Sequence, residues 1–269
     1  MDFAGIAEFS IELEPVCMAH RNMSFVLHNA PQSTCSQKVR ICLWEKGIEF
    51  EEVKLDLFRG DQLTPEYKKI NPNGVVPSLL HDGQPIIDSS VIIEYLDELI
   101  PDNPLRPDSA LGRAHMREWL RFFEEVPTPA VRIPSYNQVF LRHFQKMTEE
   151  EFIAFGESKP LRKDFFLKMG RTGYSEEEVN QSLDRLKMAF DRMQVALEDA
   201  GPWLLGDYSL ADICIIPVLM RMQDIGLSNV WDHCPAVTSW FDLYRQRGTL
   251  QSAFYHGSML SEQYGDVGN

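Results

Sequence analysis

Asn71-Pro72-Asn73-Gly74-Val75-Val76-Pro77-Ser78-Leu79-Leu80-His81-Asp82-Gly83-Gln84-Pro85-Ile86-Ile87-Asp88-Ser89-Ser90-Val91-Ile92-Ile93-Glu94-Tyr95-Leu96 is the most informative run in the chain. Pro77 to Leu80 and Gln84 to Ile87 predict two short strands around Asp82-Gly83, the dipeptide that most favours a tight hairpin turn. Ser89-Ser90 predicts a cap for a helix from Val91 to Ile100, which Pro101 ends. Gly74 permits a turn, and Pro77, lacking an N–H, is tolerated at a strand entry or edge. A cis Val76–Pro77 bond would expose the Val76 N–H and C=O to an extended peptide ligand. Ser89 and the free N–H groups at the helix start suit a carboxylate. Asp88 would face an ammonium group, and a ligand that offers both charges side by side is an α-amino acid. Taken alone, each segment also fits an ordinary proline turn or plain helix capping.

Upstream, Ser24-Phe25-Val26-Leu27-His28 predicts a strand closed by Asn29-Ala30-Pro31. Cys35 to Lys46 predicts a helix, with Val39, Cys42, Leu43 and Lys46 at i, i+3, i+4 and i+7 and Gly47 as its stop. Val53, Leu55 and Leu57 alternate with polar residues as a second strand, and Pro65 to Ile70 can hold a helical turn. Residues 23–100 therefore predict a small α/β domain, and the proline-dense run 101–109 predicts a linker. Beyond it the strand signal stops, and 110–260 predicts an all-helical domain. Ala110 to Glu125 is amphipathic, and Thr148 and Ser175 open S/T-x-x-E capping boxes. The second box starts a long helix that Gly201-Pro202 ends. Ser209-Leu210-Ala211-Asp212 begins a helix apolar nearly all round, which belongs at the centre of a bundle. Pro235 suits the first turn of a last helix, ending near Gly248. Residues 126–147, with Pro127, Pro129 and Pro134, predict irregular structure. Residues 1–22 show no period and read as a flexible extension, with Met23 an equally good initiator; 261–269 read as a C-terminal tail.

Composition narrows the function classes. The 269 residues hold 26 Lys and Arg against 40 Asp and Glu, a net charge of −14. So acidic a protein is ill-suited to nucleic acid or an anionic membrane as partner. An apolar content of 44 % is globular. No apolar run reaches the roughly 18–20 residues of a transmembrane helix, and the acidic N-terminus, without a basic n-region or clean apolar h-region, does not read as a signal peptide. Five cysteines without C-x-x-C or metal spacing predict free thiols in a cytoplasmic protein and no metal site.

Ser33-Thr34-Cys35-Ser36-Gln37-Lys38-Val39-Arg40 joins the first strand to the first helix. The N–H groups and positive dipole end of a helix N-terminus can stabilise a thiolate. Together, this turn, the Val-Pro motif and the Asp-Ser-Ser motif with Ile-Ile-Glu-Tyr-Leu resemble the glutathione transferase family. The resemblance runs from about Ser24 to Tyr255. It implies a thioredoxin-like N-terminal domain that binds glutathione through Val76, Pro77, Asp88 and Ser89, followed by a helical-bundle domain. It also implies a homodimer. Gly206 to Asp212 resembles the family's helix-capping box. The Ser33–Ser36 run is similar to the zeta class and to bacterial dehalogenases, whereas Lys146 to Phe152, the segment to about Tyr174 and Tyr208 to Cys214 resemble bacterial glutathione-dependent β-etherases. The zeta comparison points to Ser33 as the catalytic hydroxyl, the etherase comparison to Ser36, and Cys35 matches the dehalogenase cysteine.

The reaction implied is attack of glutathione thiolate on an aromatic-derived electrophile, as in β-aryl ether cleavage. The alternatives are a zeta-like isomerase, a reductive dehalogenase using Cys35, and a non-catalytic binding protein of the same fold. The electrophile pocket is expected between the domains, with Phe122, Phe123, Tyr136, Phe140, Phe144, Phe165, Phe166 and Tyr174 as aromatic candidates, most of them core. His28, His115 and His143 have no ligand spacing.

Overall fold

In a computed structural model of the protein, residues 23–267 are described. The extension expected at 1–22 lies outside the described residues. The first half builds β1 (Phe25–Asn29), α1 (Thr34–Glu45), β2 (Glu51–Lys54), α2 (Pro65–Ile70), β3 (Ser78–His81), β4 (Gln84–Ile87) and α3 (Ser89–Leu99). The sheet order is β2-β1-β3-β4. β1 runs parallel to β2 and antiparallel to β3, with His28 opposite both Val53 and Ser78. Alternation in β1 buries Phe25, Leu27 and Asn29, the period-2 pattern of a strand with one face on a core.

The second strand stops at Lys54 rather than running on to Leu57. Asp56 Oδ1 accepts the N–H groups of Phe58 and Arg59 at 2.9 and 3.1 Å, and Asp61 Oδ2 accepts the Asp56 N–H. Local aspartate turns thus compete with the ladder and win. The cap of α3 also differs from expectation. Asp88, not Ser89, is the N-cap, and Oδ1 accepts from Ser90 and Val91 while the backbone sits at φ 73°.

The second half is helical: α4 (Ala110–Glu125), α5 (Pro127–Ala130), α6 (Arg132–Ser135), α7 (Leu141–Phe144), α8 (Glu149–Glu157), α9 (Lys163–Met169), α10 (Glu176–Ala200), α11 (Leu210–Asp224), α12 (Pro235–Arg245), α13 (Thr249–Ala253) and α14 (Leu260–Gln263). Thr148, Ser175 and Ser209 close capping boxes with Glu151, Glu178 and Asp212. The stretch 126–147, expected to be irregular, is a chain of short helices with one π-helical turn at Tyr136–Phe140. Its prolines stand at positions where a helix needs no N–H, so they punctuate the helix instead of abolishing it.

α11 is buried all round and forms the centre of the molecule. One continuous apolar core runs from Phe25, Leu27 and Ile41 through Ile213 and Ile216 to Trp240. A separate aromatic core, Phe144, Phe152, Phe166, Met169 and Tyr174, holds α7 to α9. Leu260 and Val267 pack on Val139 and Ile225, and Asp224 accepts the Leu260 and Ser261 N–H groups at 2.6 and 3.2 Å. None of the described helices is long and apolar enough to cross a membrane.

Candidate functional site

A cavity of about 840 Å³ opens between the two halves. Its sheet-side wall is the loop Ala30 to Cys35, the turn Lys54 to Gln62 and the loop Asn73 to Val76. Its helical wall includes Thr128, Arg132, Tyr136, Phe155, Phe166 and Arg221.

Ser33 is the N-cap of α1, and its Oγ accepts the Ser36 N–H at 3.3 Å. Ser33, Thr34 and Cys35 line the cavity, at the end of α1 where the dipole is positive. Cys35 is a half-buried free thiol. Ser36, the other hydroxyl picked out in the sequence, is turned inward. It is fully buried, the Ala30 N–H donates to its Oγ at 3.4 Å, and it does not line the cavity. Ser33 is the extended N-cap while Ser36 lies within the helix, so the i,i+3 relation of helical positions does not bring the two hydroxyls to one face.

The Val76–Pro77 peptide bond is cis. Gly74, at φ 59°, makes the preceding turn, and the Tyr67 hydroxyl and Asn71 amide hold the Val75 carbonyl at 2.7 and 2.9 Å. Val76 lines the cavity. Its own N–H and C=O make no hydrogen bond among the described residues. An unpaired backbone donor and acceptor beside a cavity can pair with another extended peptide, as an added strand would. Pro77, the next residue, is buried and does not line the cavity.

Asp88 and Ser89 stand at the N-terminus of α3 and do not line the main cavity. Asp88 Oδ1 is occupied by the Ser90 hydroxyl and two N–H groups, which leaves Oδ2 without a partner among the described residues. Ser89 is 4 % exposed, and its Oγ accepts from Lys38 Nζ at 3.2 Å. The Ser89 O–H and N–H remain as donors. Lys38, one turn beyond Cys35 on α1, also pairs with Glu124. Burial opposes its charge, but Cys214 and Glu124 outweigh burial and raise its pKa above the ordinary lysine value. Lys38 thus adds a fixed positive charge behind Ser89. Spacing along the chain gives no sign of this role, because it depends on Ser89 and Glu124, which lie far away in sequence.

Of the eight aromatic candidates, Tyr136, Phe140 and Phe166 line the cavity. Phe58, His143, Phe155 and Tyr264 complete the ring surface. His143 stacks on Phe58 with centroids 4.1 Å apart and meets the Tyr264 hydroxyl at 2.8 Å. Burial, helped by Arg142, lowers its pKa. Burial also raises the Tyr136 phenol. Among the described residues Asp191, His233 and Cys234 bring three ligand atoms within 4.8 Å of one another; none of the three lines the cavity.

Residues 32–99 match the family model of the glutathione S-transferase N-terminal domain, and 176–243 that of its C-terminal domain. Together they span just over half of the chain. The chain belongs to the glutathione S-transferase family. Protein LigF of Sphingobium sp. (strain NBRC 103272 / SYK-6) is 29 % identical over 240 residues, 86 % of this chain and 93 % of that protein. The crystal structure of beta-etherase LigF from Sphingobium sp. strain SYK-6 superposes with a TM-score of 0.77, covering 86 % of this chain and 98 % of that one. A probable maleylacetoacetate isomerase of Caenorhabditis elegans is 42 % identical over 96 residues, 36 % of this transferase and 44 % of the isomerase. The small sheet-bearing half followed by a helical half is the fold of this family.

Proposed function

We propose that this transferase activates the thiol of glutathione with Ser33 and directs it at an aromatic-derived electrophile, cleaving a β-aryl ether. Glutathione is the cosubstrate of the family. The observation that carries the reading is the Ser33–Cys35 turn at the start of α1 opening into the same aromatic cavity as the unpaired backbone of Val76. Val76 would pair with the cysteinyl unit of glutathione as a short added strand. Ser89, its helix N-terminus and Lys38 would hold the γ-glutamyl carboxylate, and Asp88 Oδ2 the neighbouring ammonium.

A free thiol has a pKa of about 8.5, so only a small fraction is ionised at neutral pH. A hydrogen bond from the Ser33 hydroxyl, with the α1 dipole behind it, stabilises the thiolate and lowers that value. The thiolate attacks the carbon that carries the aryloxy group. A C–S bond forms, the C–O bond breaks with its electron pair, and the phenolate leaves and takes a proton from water. The 29 % identity to LigF over most of both chains supports the ether reading. The protein is proposed to act as a cytoplasmic homodimer.

Cys35 lines the same cavity, which keeps one rival open: the protein thiol attacks first and forms a mixed disulfide with glutathione, as in thiol transfer. Cys35→Ser and Ser33→Ala separate the two. In the ether reading Cys35→Ser retains most of the cleavage of a β-aryl ether. Ser33→Ala raises the pKa of bound glutathione by about one unit, roughly tenfold in thiolate at neutral pH, read from thiolate absorbance. Loss of turnover in Cys35→Ser, together with a glutathione adduct in the intact mass of the working enzyme, would overturn it.

A further inference from the structure

We propose that the helical wall of the cavity is an anion subsite, and that the electrophile is an aromatic compound bearing a carboxylate. The proposal rests on the transferase reading and names the substrate class of that site.

The protein carries a net charge of −14, yet Arg132, Lys159, Arg162 and Arg221 all line this cavity. Lys159 is 5 % exposed, and its Nζ is buried with no hydrogen-bond partner, only the Phe155 ring at 4.0 Å. The Arg132 guanidinium makes no hydrogen bond or ion pair among the described residues; it lies over the Phe165 ring at 5.6 Å. The Arg162 side chain is equally unpaired. Arg221 is the exception, donating to the Gln32 carbonyl, with Asp224 as its countercharge.

Arg132 and Arg162 are half-buried and Lys159 is buried; a buried cation without a partner, such as Lys159, is costly, and proteins keep one where a ligand supplies the missing charge. The carboxylates on the cavity wall do not supply it. Asp56 and Asp61 accept backbone N–H groups of their own turn. The electrostatics agree with a deficit of negative charge. Burial and Arg162 lower the Arg132 pKa, while burial and Lys68 pull Lys159 down to about 8.

The chemistry of the pocket selects the anion. An arginine fork matches a planar carboxylate through two parallel hydrogen bonds. Tyr136, Phe140 and Phe166 provide ring surface in the same cavity. Ser33 and Cys35 are on the opposite wall, so a ring with a reactive carbon at one end and a carboxylate at the other would bridge thiol and cations. The main competitor for the cations is glutathione's own glycyl carboxylate.

Calorimetric titration of the full chain with glutathione, S-benzylglutathione and S-(4-carboxybenzyl)glutathione decides between them without needing turnover. Wild type is expected to bind the carboxybenzyl conjugate about tenfold or more tighter than the benzyl one, the effect of one charged hydrogen bond. Arg132→Met and Arg162→Met, on separate segments, should each shrink that preference toward unity and leave glutathione affinity unchanged. Arg132→Lys, which keeps the charge without the fork, should recover part of it. Equal binding of the two conjugates by wild type overturns the subsite. So does a loss of glutathione affinity in the variants as large as the loss for the conjugate, which would give the cations to the glycyl carboxylate. If neither glutathione nor either conjugate binds, the transferase reading itself falls, and the subsite with it.

Discussion

Ser89 and Lys38 illustrate how the site is assembled residue by residue. The Ser89 hydroxyl accepts from the Lys38 ammonium, so its own proton points elsewhere and its N–H is free at the helix start. A ligand carboxylate there meets two donors and a cation. Ser89→Ala removes one charge-assisted hydrogen bond, worth about 1.5–3 kcal/mol. Glutathione should bind roughly tenfold or more weakly, and an unchanged dissociation constant by calorimetry would remove Ser89 from the proposed site. The motif residues 76, 77, 88 and 89 were legible in sequence because turns and caps demand particular residue types locally. Lys38, Arg132, Lys159 and Arg162 were not. A cation's role depends on which distant surface covers it, and spacing along the chain carries no such information.

At the scale of elements, α11 depends on its first turn. Asp212 is fully buried and accepts from the Leu204 and Ser209 N–H groups, the Ser209 hydroxyl and the Trp240 indole. It ties the start of α11 to the preceding loop and to α12. Asp212→Ala strands several of these donors at about 1–3 kcal/mol each. A loss of about 3 kcal/mol would lower Tm by roughly 6–12 °C in a chain of this size. The same carboxyl carries a pH dependence. Burial raises it to about 6 from 3.8 against the pull of its four donors. The folded protein therefore binds more protons than the unfolded chain between about pH 4 and 6, and the stability tied to that proton is lost as pH rises through this window. Above it the contribution is flat. Melting curves from pH 4 to 7 should show this slope in wild type and not in Asp212→Ala; parallel curves would mean that Asp212 is ionised throughout. The capping box was visible in sequence, as were the long amphipathic helices, since both are local patterns. The helices of 126–147 were hidden because their prolines look like breakers until the short segments between them are seen stacked on one another.

For the whole molecule, the two halves share a core rather than a hinge. α1 shows this best: Ser36 to Leu43 are all buried, including Gln37, Lys38 and Arg40. Arg40 donates to the Asn29 side chain at 2.7 Å and to the Ala253 carbonyl at 2.9 Å, while Gln37 reaches the Ser258 carbonyl at 3.0 Å. The polar side of α1 is thus the seam between sheet and bundle. The proposed homodimer is tested at this scale: sedimentation equilibrium at micromolar concentration should give twice the 31.0 kDa chain mass, and a monomer mass would remove the dimer from the reading. The amino-acid sequence by itself determined the strand order, the long helices, the capping boxes at Thr148, Ser175 and Ser209, the glycine and proline turns and the family, because each is written in neighbouring residues through period, φ preference and hydrogen-bonding type. Tertiary structure alone decided that Ser33 faces the cavity while Ser36 is buried, that the polar face of α1 is interior, and that four cations from three segments of the helical half meet around one space. Those outcomes depend on packing between residues as far apart as Gln32 and Arg221, and long-range contact is the one property that local pattern does not encode.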